Sequence, residues 1–186
     1  MRIDFDALIG DALEANATHA AMADVSKIHY SKEFRDLCVR NSCGNYDTNW
    51  MGPPAIGPIE DLMEKARKYK YGLLFQTVCN VKSSFDLKGM IKGAETHEKV
   101  FRSLLKRIKN KYNFEDILPL NAGCCRKCGK CAYLDGEPCR HPDEAVSSVE
   151  AYGIDVMRLE KDAGIPYYNG KNTISYVGLI MFNENG

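Results

Sequence analysis

The sequence has no excess of charge of either sign, because 25 lysine and arginine residues balance 25 aspartate and glutamate residues. A chain with no net charge has no long-range basic field to attract nucleic acid or anionic lipid, so we predict neither as a partner. No apolar run approaches the roughly 20 residues that a membrane-spanning helix needs, so we predict no membrane association. Asp4 and Asp6 lie where a signal peptide would be basic or apolar, which favours a cytoplasmic protein.

Familiar catalytic and nucleotide-binding motifs are missing as well. The chain has no P-loop, no paired-glycine motif and no nucleophile elbow. Gly129-Lys130 lacks the upstream glycine spacing of a Walker site. The sequence also contains no internal repeat and no low-complexity segment. Whether the protein is an enzyme stays open on these grounds.

The size and composition of the chain are those of an ordinary globular protein. Its 186 residues are 45% hydrophobic and 27% charged, which is enough for one domain with a hydrophobic core. We therefore predict a single domain over residues 1–186. Within it, an N-terminal helix in 1–24 is expected as an appendage, and residues 123–142 are expected to form a cysteine-rich metal-binding loop.

Apolar periodicity and turn residues predict both helices and strands. The predicted helices lie at 6–17, 31–37, 59–69, 87–112, 142–152 and 156–163. The predicted strands lie at 25–30, 71–81, 117–120 and 173–182, the first of them weak. Strands interleaved with helices favour a layered α/β (α+β) fold. We expect a mixed sheet of about four strands with flanking helices, and the third strand runs straight into the cysteine-rich loop.

The cysteine-rich loop carries the strongest chemical signal in the chain. Cys125, Cys128 and Cys131 repeat with two residues between each, and Cys139 follows close to Pro142. Bacterial ferredoxins use this kind of pattern to hold a cubane cluster. In a reducing compartment, clustered cysteines favour metal binding or catalysis over disulfides. We therefore predict that these four cysteines are the ligands of a 4Fe–4S cluster.

Three other interpretations of the loop stay open. Four thiolates also suit structural zinc, although zinc sites usually divide into two Cys-x2-4-Cys pairs. Adjacent residues rarely bind one metal together, so Cys124 beside Cys125 is expected to be a spare thiol, a gap filler or a redox partner. The ligand set could instead use Cys124 and leave Cys139 free, although Cys139 is preferred. The thiols could also be incidental, but neighbouring cysteines cannot all face one core.

Basic residues surround the predicted ligands. Arg126, Lys127, Lys130, Arg140 and His141 would offset the negative charge of a thiolate centre, or they could simply solvate an exposed loop. The predicted helix after Pro142 would also place free backbone N–H groups near the centre.

A second group of cysteines is incomplete. Cys38 and Cys43 have four residues between them in a segment rich in glycine, asparagine and proline, and they form a candidate second metal site. Two ligands are too few for a metal, and Cys79 could be a third, although a buried core thiol is the stronger interpretation for Cys79. Trp50, the only tryptophan, is expected to anchor this segment.

We predict structural rather than catalytic roles for two further ionisable residues, His97 and Glu150. His97, in Glu95-Thr96-His97-Glu98, is expected on a solvated helix face. Glu150 could act as a general acid or base, but a role as a cap and as the ion-pair partner of a lysine or arginine is favoured.

The two cysteine regions together resemble a family of uncharacterised prokaryotic proteins predicted to bind metal, the domain-of-unknown-function 2284 family. The residues that carry the resemblance are Cys43-Gly44-Asn45-Tyr46, Trp50-Met51-Gly52-Pro53-Pro54, Cys125 to Cys131, Cys139-Arg140-His141-Pro142 and 148–156. The resemblance covers roughly residues 30–182 and implies a metal-binding protein of the iron–sulfur type. The family tends to carry a cysteine before the paired prolines, where this chain has Gly52, so the first cysteine region is short of a ligand.

Three functional hypotheses follow. The first is an iron–sulfur protein that transfers electrons to or from a redox partner protein. The second is a cluster-dependent or thiol-dependent enzyme, such as a reductase or a sulfur-handling catalyst. The third is a zinc-stabilised interaction module. A homo-oligomer is compatible with each of them.

Overall fold

A computed structural model describes residues 3–114 and 116–184. Within them the α-helices are α1 (Phe5–Glu14), α2 (Glu33–Val39), α3 (Ile59–Arg67), α4 (Leu87–Lys111) and α5 (Val156–Asp162). The strands are β1 (His19–Asp24), β2 (Tyr71–Asn80), β3 (Ile117–Asn121), β4 (Ser147–Ser148) and β5 (Thr173–Phe182). Short 3₁₀ turns occur at Val25–Lys27, Ala132–Asp135 and Glu150–Tyr152.

The five described strands form one mixed sheet in the order β1-β2-β5-β3-β4. Its centre is the antiparallel pair of β2 and β5, which runs from Tyr71↔Phe182 to Asn80↔Thr173. β1 adds to one side of this pair, and β3 adds to the other, both antiparallel. β4 extends the sheet by a short parallel pairing with β3. The prediction of an α+β fold with a mixed sheet is confirmed.

Helices cover both faces of the sheet because side chains alternate along β2 and β5. Leu73 and Phe75 belong to one core cluster, with residues of α1 and α4 such as Leu8 and Phe101. Leu74 and Leu179 belong to the other cluster, which includes residues of α3 and α5. Each face of the central strand pair therefore has its own hydrophobic core.

The long helix α4 begins at an N-cap, where the carboxylate of Asp86 accepts the amide of Gly89 at 3.0 Å. Its buried stripe includes Val100, Leu104 and Ile108, while the rest of its surface is largely charged. Of the helices in the described part of the chain, none is both long and apolar enough to cross a bilayer.

The N-terminal part of the sheet differs from the sequence prediction. Within 1–24, where a helical appendage is predicted, the helix ends at Glu14 and β1 follows it. The predicted strand at 25–30 is wrong: Val25–Lys27 is a 3₁₀ turn, and Tyr30 makes only an isolated bridge to Ile154. β1 has the sequence HAAMAD, whose alanines have little intrinsic strand preference. Its pairing with β2 overrides that preference.

The predicted helix at 142–152 is also wrong. Residues 142–144 form a turn, β4 follows, and only Glu150–Tyr152 is helical, as a 3₁₀ turn. The backbone amide of Val149 donates to the carbonyl of Asn121 at 3.0 Å, so this segment is held against the end of β3. Pro142 therefore begins no helix, and the expected row of free helix N–H groups beside the cysteines does not form.

Gly178 tests how tightly the central strand pair is packed. A Cβ atom at this position would lie 2.3 Å from Cζ of the Phe75 ring, whose side chain is fully buried. We expect Gly178→Ala to lower the free energy of unfolding by about 1–3 kcal/mol, because the ring has no room to move. Urea denaturation measures this change. Gly10→Ala in α1, where nothing lies within 4 Å, is the control. Equal stability of the two variants would contradict the packing described here.

Candidate metal centre

The cysteine-rich loop starts where β3 ends at Asn121. The backbone turns away from the sheet at Gly123, whose φ of 68° is in the left-handed region that glycine adopts without strain. From Cys124 to Lys130 the chain is neither helix nor strand. The eight cysteines of the described chain are all free, and the four predicted ligands, Cys125, Cys128, Cys131 and Cys139, are half-buried.

Two polar contacts give the loop its shape. The guanidinium of Arg140 donates to the carbonyl oxygen of Lys130 at 2.7 Å. This bond fastens the residue after Cys139 to the residue before Cys131. The ammonium group of Lys130 in turn pairs with Asp135, so both sides of the bend are held together.

In residues 3–114 and 116–184, no three His, Cys, Asp or Glu side chains are arranged as a preformed metal site. The donor chemistry of the loop nevertheless fits a thiolate-bound centre, because it offers four free thiols on one irregular and partly exposed segment. Metal binding generally couples to local ordering of such segments. The four cysteines remain predicted ligands on this basis.

The far end of the loop is anchored to α4 by a chain of polar contacts. The ammonium of Lys127 pairs with the carboxylate of Glu144 at 2.5 Å. Arg102 donates to the carbonyl of Glu144 at 2.6 Å and pairs with Glu98 at 2.7 Å. Glu98 also accepts a hydrogen bond from the side-chain carboxamide of Asn121 at 2.6 Å. The start and the end of the loop are therefore tied to the same stretch of helix.

Trp50 joins the two cysteine regions. Its indole N–H donates to the carbonyl of Glu137 at 2.9 Å, and its ring meets the edge of Tyr133 at a centroid distance of 5.0 Å. The hydroxyl of Tyr133 donates to Asp47. The expectation that Trp50 anchors its own segment agrees with these contacts, and the partner is the cysteine-rich loop itself.

Three other thiols line a cavity of about 250 Å³, which we call the thiol cavity. Cys38 at the end of α2, Cys43 in the following turn and Cys124 at the start of the cysteine-rich loop all line it. Glu150 and Gly52 line the same cavity. The structure thus separates Cys124 from Cys125 by placing Cys124 beside the first cysteine region.

Burial is the main influence on the electrostatics of this cavity. Burial raises the pKa of the Cys38 thiol, the guanidinium of Arg35 partly offsets the rise, and Cys43 and Glu150 add to it. Burial likewise raises the pKa of Cys124, with Arg126 opposing the change. Burial raises the pKa of Glu150 as well. For each of these three groups burial disfavours the charged form.

The predicted role of Glu150 changes in this environment, whereas Cys79 stays outside it as expected. Glu150 does not pair with a lysine or arginine in the described residues; its carboxyl group interacts with Ser148 and with its own backbone amide. Cys79 lies against α4, with its sulfur 4.0 Å from the carbonyl of Gly93, and it does not line the thiol cavity.

The basic residues of the loop are engaged in part with local groups. Lys127 and Lys130 each pair with a carboxylate, and Arg140 is bound to a backbone carbonyl. His141 is exposed and close enough to Glu144 to lower the pKa of that carboxyl, although Lys127 lowers it more. Ion pairing therefore reduces the positive charge that the sequence places around the predicted ligands.

A larger cavity of about 630 Å³ lies beside the thiol cavity and shares Gly123 and Glu150 with it. It exists because β3 is half as long as β5. β3 pairs only with the stretch Leu179–Phe182 of β5, and the remaining stretch, 173–177, forms a wall of the cavity. Glu160 also lines it, and its carboxylate accepts a hydrogen bond from the side-chain carboxamide of Gln76 at 2.5 Å.

Three features of this cavity are not predicted from the sequence: the proximity of Cys124 to the first cysteine region, the influence of Arg35 on Cys38, and the position of Glu150 in the cavity wall. For Arg35 a signal existed, because residues three apart on a helix share a face and Arg35 precedes Cys38 by three. For Cys124 and Glu150 the sequence offered none, since their approach to Cys38 depends on how β3 and β4 pair.

Comparison with known proteins identifies the family. The sequence profile described as predicted metal-binding protein (DUF2284) matches residues 21–182. The chain belongs to this family, and the resemblance inferred from the cysteine regions is confirmed. No curated protein and no solved structure matches the chain.

The expectation for His97 is wrong, and its correction generates a pH prediction. The side chain is 1% exposed, its Nδ1 lies 2.9 Å from the hydroxyl of Thr77, and its ring stacks between Phe75 and Tyr176. Burial lowers the pKa of His97 to about 4. In the unfolded chain the pKa is about 6.5, so the unfolded state gains a proton first as the pH falls.

The contribution of His97 to stability is therefore complete above pH 6.5 and declines as the pH falls toward 4. Between pH 7.5 and 5.5, we expect the wild type to lose about 1 kcal/mol more unfolding free energy than His97→Gln, which has no titrating group at this position. Urea denaturation at both pH values measures the difference. Parallel losses in the two proteins would contradict a buried, neutral His97.

Proposed function

We propose that this member of the predicted metal-binding family carries one 4Fe–4S cluster on Cys125, Cys128, Cys131 and Cys139 and works in electron transfer. The observation that carries the proposal is the 2.7 Å bond from Arg140 to the carbonyl of Lys130. It holds the stretch that contains Cys139 beside the stretch that contains Cys131. All four thiols then come from one closed bend.

The position of Cys124 supports the choice of Cys125 as the first ligand. Cys124 lines the thiol cavity with Cys38 and Cys43, whereas Cys125 does not line it. Adjacent residues that face different surroundings need not compete for one metal. The run Cys125, Cys128 and Cys131 then keeps the two-residue spacing that bacterial ferredoxins use.

The exposure of the loop supports electron transfer. When bound, a cubane supplies a one-electron couple. Four protein thiolates would occupy every iron, and none of the four cysteines lines either the 250 Å³ or the 630 Å³ cavity. The loop is instead half-exposed, where a separate redox protein can approach it.

A cluster-dependent or thiol-dependent enzyme is the second candidate, and the 630 Å³ cavity favours it. The cavity has the size of a small-molecule site, and it is lined by Glu160, a buried carboxyl group whose pKa is raised by burial. Such an enzyme would need a thiol or an iron open to this cavity. Glu150 and Gly123 face it, but the predicted cluster ligands do not, so electron transfer is better supported.

Neighbouring cysteine substitutions provide a matched test of the ligand assignment. We expect anaerobically purified wild type to contain about four irons and four sulfides per chain and to show broad visible absorption. Cys125→Ala should lose most of the iron, the sulfide and the absorption. Cys124→Ala should keep all three, because Cys124 faces the other cavity. Iron, sulfide and zinc analysis with visible spectroscopy measures these outcomes.

Two outcomes would contradict the proposal. Iron and colour that persist in Cys125→Ala but disappear in Cys124→Ala would reverse the assignment. About one zinc per chain bound by the wild-type loop, with no sulfide, would replace the cluster by a structural zinc site. Cys79→Ala controls for the loss of any cysteine, since this thiol lies against α4.

A further inference from the structure

We propose that Cys38, Cys43, Cys124 and Glu150 form a second metal site, distinct from the one proposed on Cys125, Cys128, Cys131 and Cys139, which binds one thiophilic divalent cation of the zinc class. Three parts of the fold supply these four side chains: the end of α2 with its following turn, the first residue of the loop after Gly123, and the 3₁₀ turn after β4. All four line the cavity of about 250 Å³.

The walls of the cavity are held by backbone and side-chain contacts that do not involve the four ligands' own polar groups. The carboxamide of Asn41 accepts the amide of Tyr46 at 3.0 Å, and the amide of Asp47 donates to the carbonyl of Pro53 at 2.9 Å. Ser147, beside the proposed ligand segment, donates to the carbonyl of Met51 at 2.8 Å. These contacts keep the turn that carries Cys43 beside the segment that carries Glu150. Because the described residues hold no preformed metal site, the four side chains would converge when the cation binds.

The donor set favours a single cation. Thiolates and a carboxylate are both zinc ligands, and four of them complete its tetrahedral coordination. A cubane prefers four cysteines, and position 52, which also lines the cavity, is a glycine that supplies no donor. Cys38, Cys43 and Cys124 contribute three thiolates, and Glu150 is the oxygen donor that faces them.

The surroundings of Arg35 give a second, independent reason to expect a negatively charged metal centre here. Its Nη2 atom is buried and meets no hydrogen-bond partner among the described residues. Arg35 and Cys38 lie three residues apart on α2 and so share a face of the helix. A buried guanidinium N–H without a partner is costly, and a cation held by three thiolates and a carboxylate leaves a net negative centre for it to face.

Binding of the cation is accompanied by the release of protons from its ligands. The three thiols are deprotonated when they ligate the cation, and their protons pass to solvent. Glu150 binds as a carboxylate, so any proton that it carries in the metal-free protein is released together with those of the thiols. No electron is transferred, so the site needs neither an oxidant nor a reductant.

The test is a cobalt titration of the full-length, metal-free and reduced protein under exclusion of oxygen, followed by displacement with zinc. Cobalt bound to thiolates gives a charge-transfer absorption that reports ligation directly. We expect the wild type to bind one equivalent of cobalt in a way that depends on Cys43. Cys43→Ser should lose this Cys43-dependent equivalent or bind it at least about tenfold more weakly. Glu150→Gln should keep the thiolate absorption but bind more weakly, whereas Cys79→Ser should match the wild type.

Failure of this proposal is distinguishable from failure of the proposed cluster. Cys128→Ser alters the cysteine-rich loop only, so it should retain the Cys43-dependent equivalent. Identical titrations of Cys43→Ser and Cys79→Ser would overturn the second site whatever the loop binds. Iron and sulfide that depend on Cys43 would overturn the assignment to a single divalent cation.

A second measurement removes the dependence on variant folding. One equivalent of zinc should protect Cys38, Cys43 and Cys124 of the wild type from alkylation, as read by peptide mass spectrometry, and should leave Cys79 unchanged. Cys43 is exposed, so it should react readily in the metal-free protein. An alkylation rate of Cys43 that zinc does not change would overturn the proposal.

Discussion

The ten-residue antiparallel pairing of β2 with β5 is the constraint on which the rest of the structure depends. It divides the hydrophobic core into two clusters and gives α1 and α4 one face and α3 and α5 the other. It also decides where β3 can lie. Because β3 covers only the C-terminal part of β5, the chain leaves the sheet halfway along β5, and the cysteine-rich loop, the thiol cavity and the larger cavity all arise at that point.

The two cysteine-containing regions of the protein are neighbours in the fold although they are distant in sequence. Trp50 holds the first cysteine region against the loop through Glu137 and Tyr133. Cys124 then belongs to the surroundings of Cys38 and Cys43, and the next four cysteines belong to the loop. In this member of a predicted metal-binding family, the two proposed sites therefore differ in chemistry: one consists of thiols alone, and the other of thiols with a carboxylate.

The sequence predicts the elements that have strong local signals. The apolar stripe of α4 and the β-branched and aromatic residues of β5 determine their structures almost unaided. β1 escapes prediction because its alanines favour helix, and only pairing with β2 makes it a strand. The segment that contains β4 and the turn at Glu150 is not predicted either, because its structure depends on pairing with the distant residue Asn121. The spacing of Cys125, Cys128 and Cys131 is visible in the sequence, whereas the cavity shared by Cys38, Cys124 and Glu150 depends on the sheet.

Anomalous X-ray diffraction from anaerobically grown crystals, recorded at the iron and zinc absorption edges, would locate both metals and identify their ligands. We expect iron density bounded by Cys125, Cys128, Cys131 and Cys139, and a separate zinc peak in the cavity of Cys38, Cys43 and Cys124. Iron bound by Cys124 together with Cys38, or a single metal shared between the two sets of thiols, would contradict this expectation.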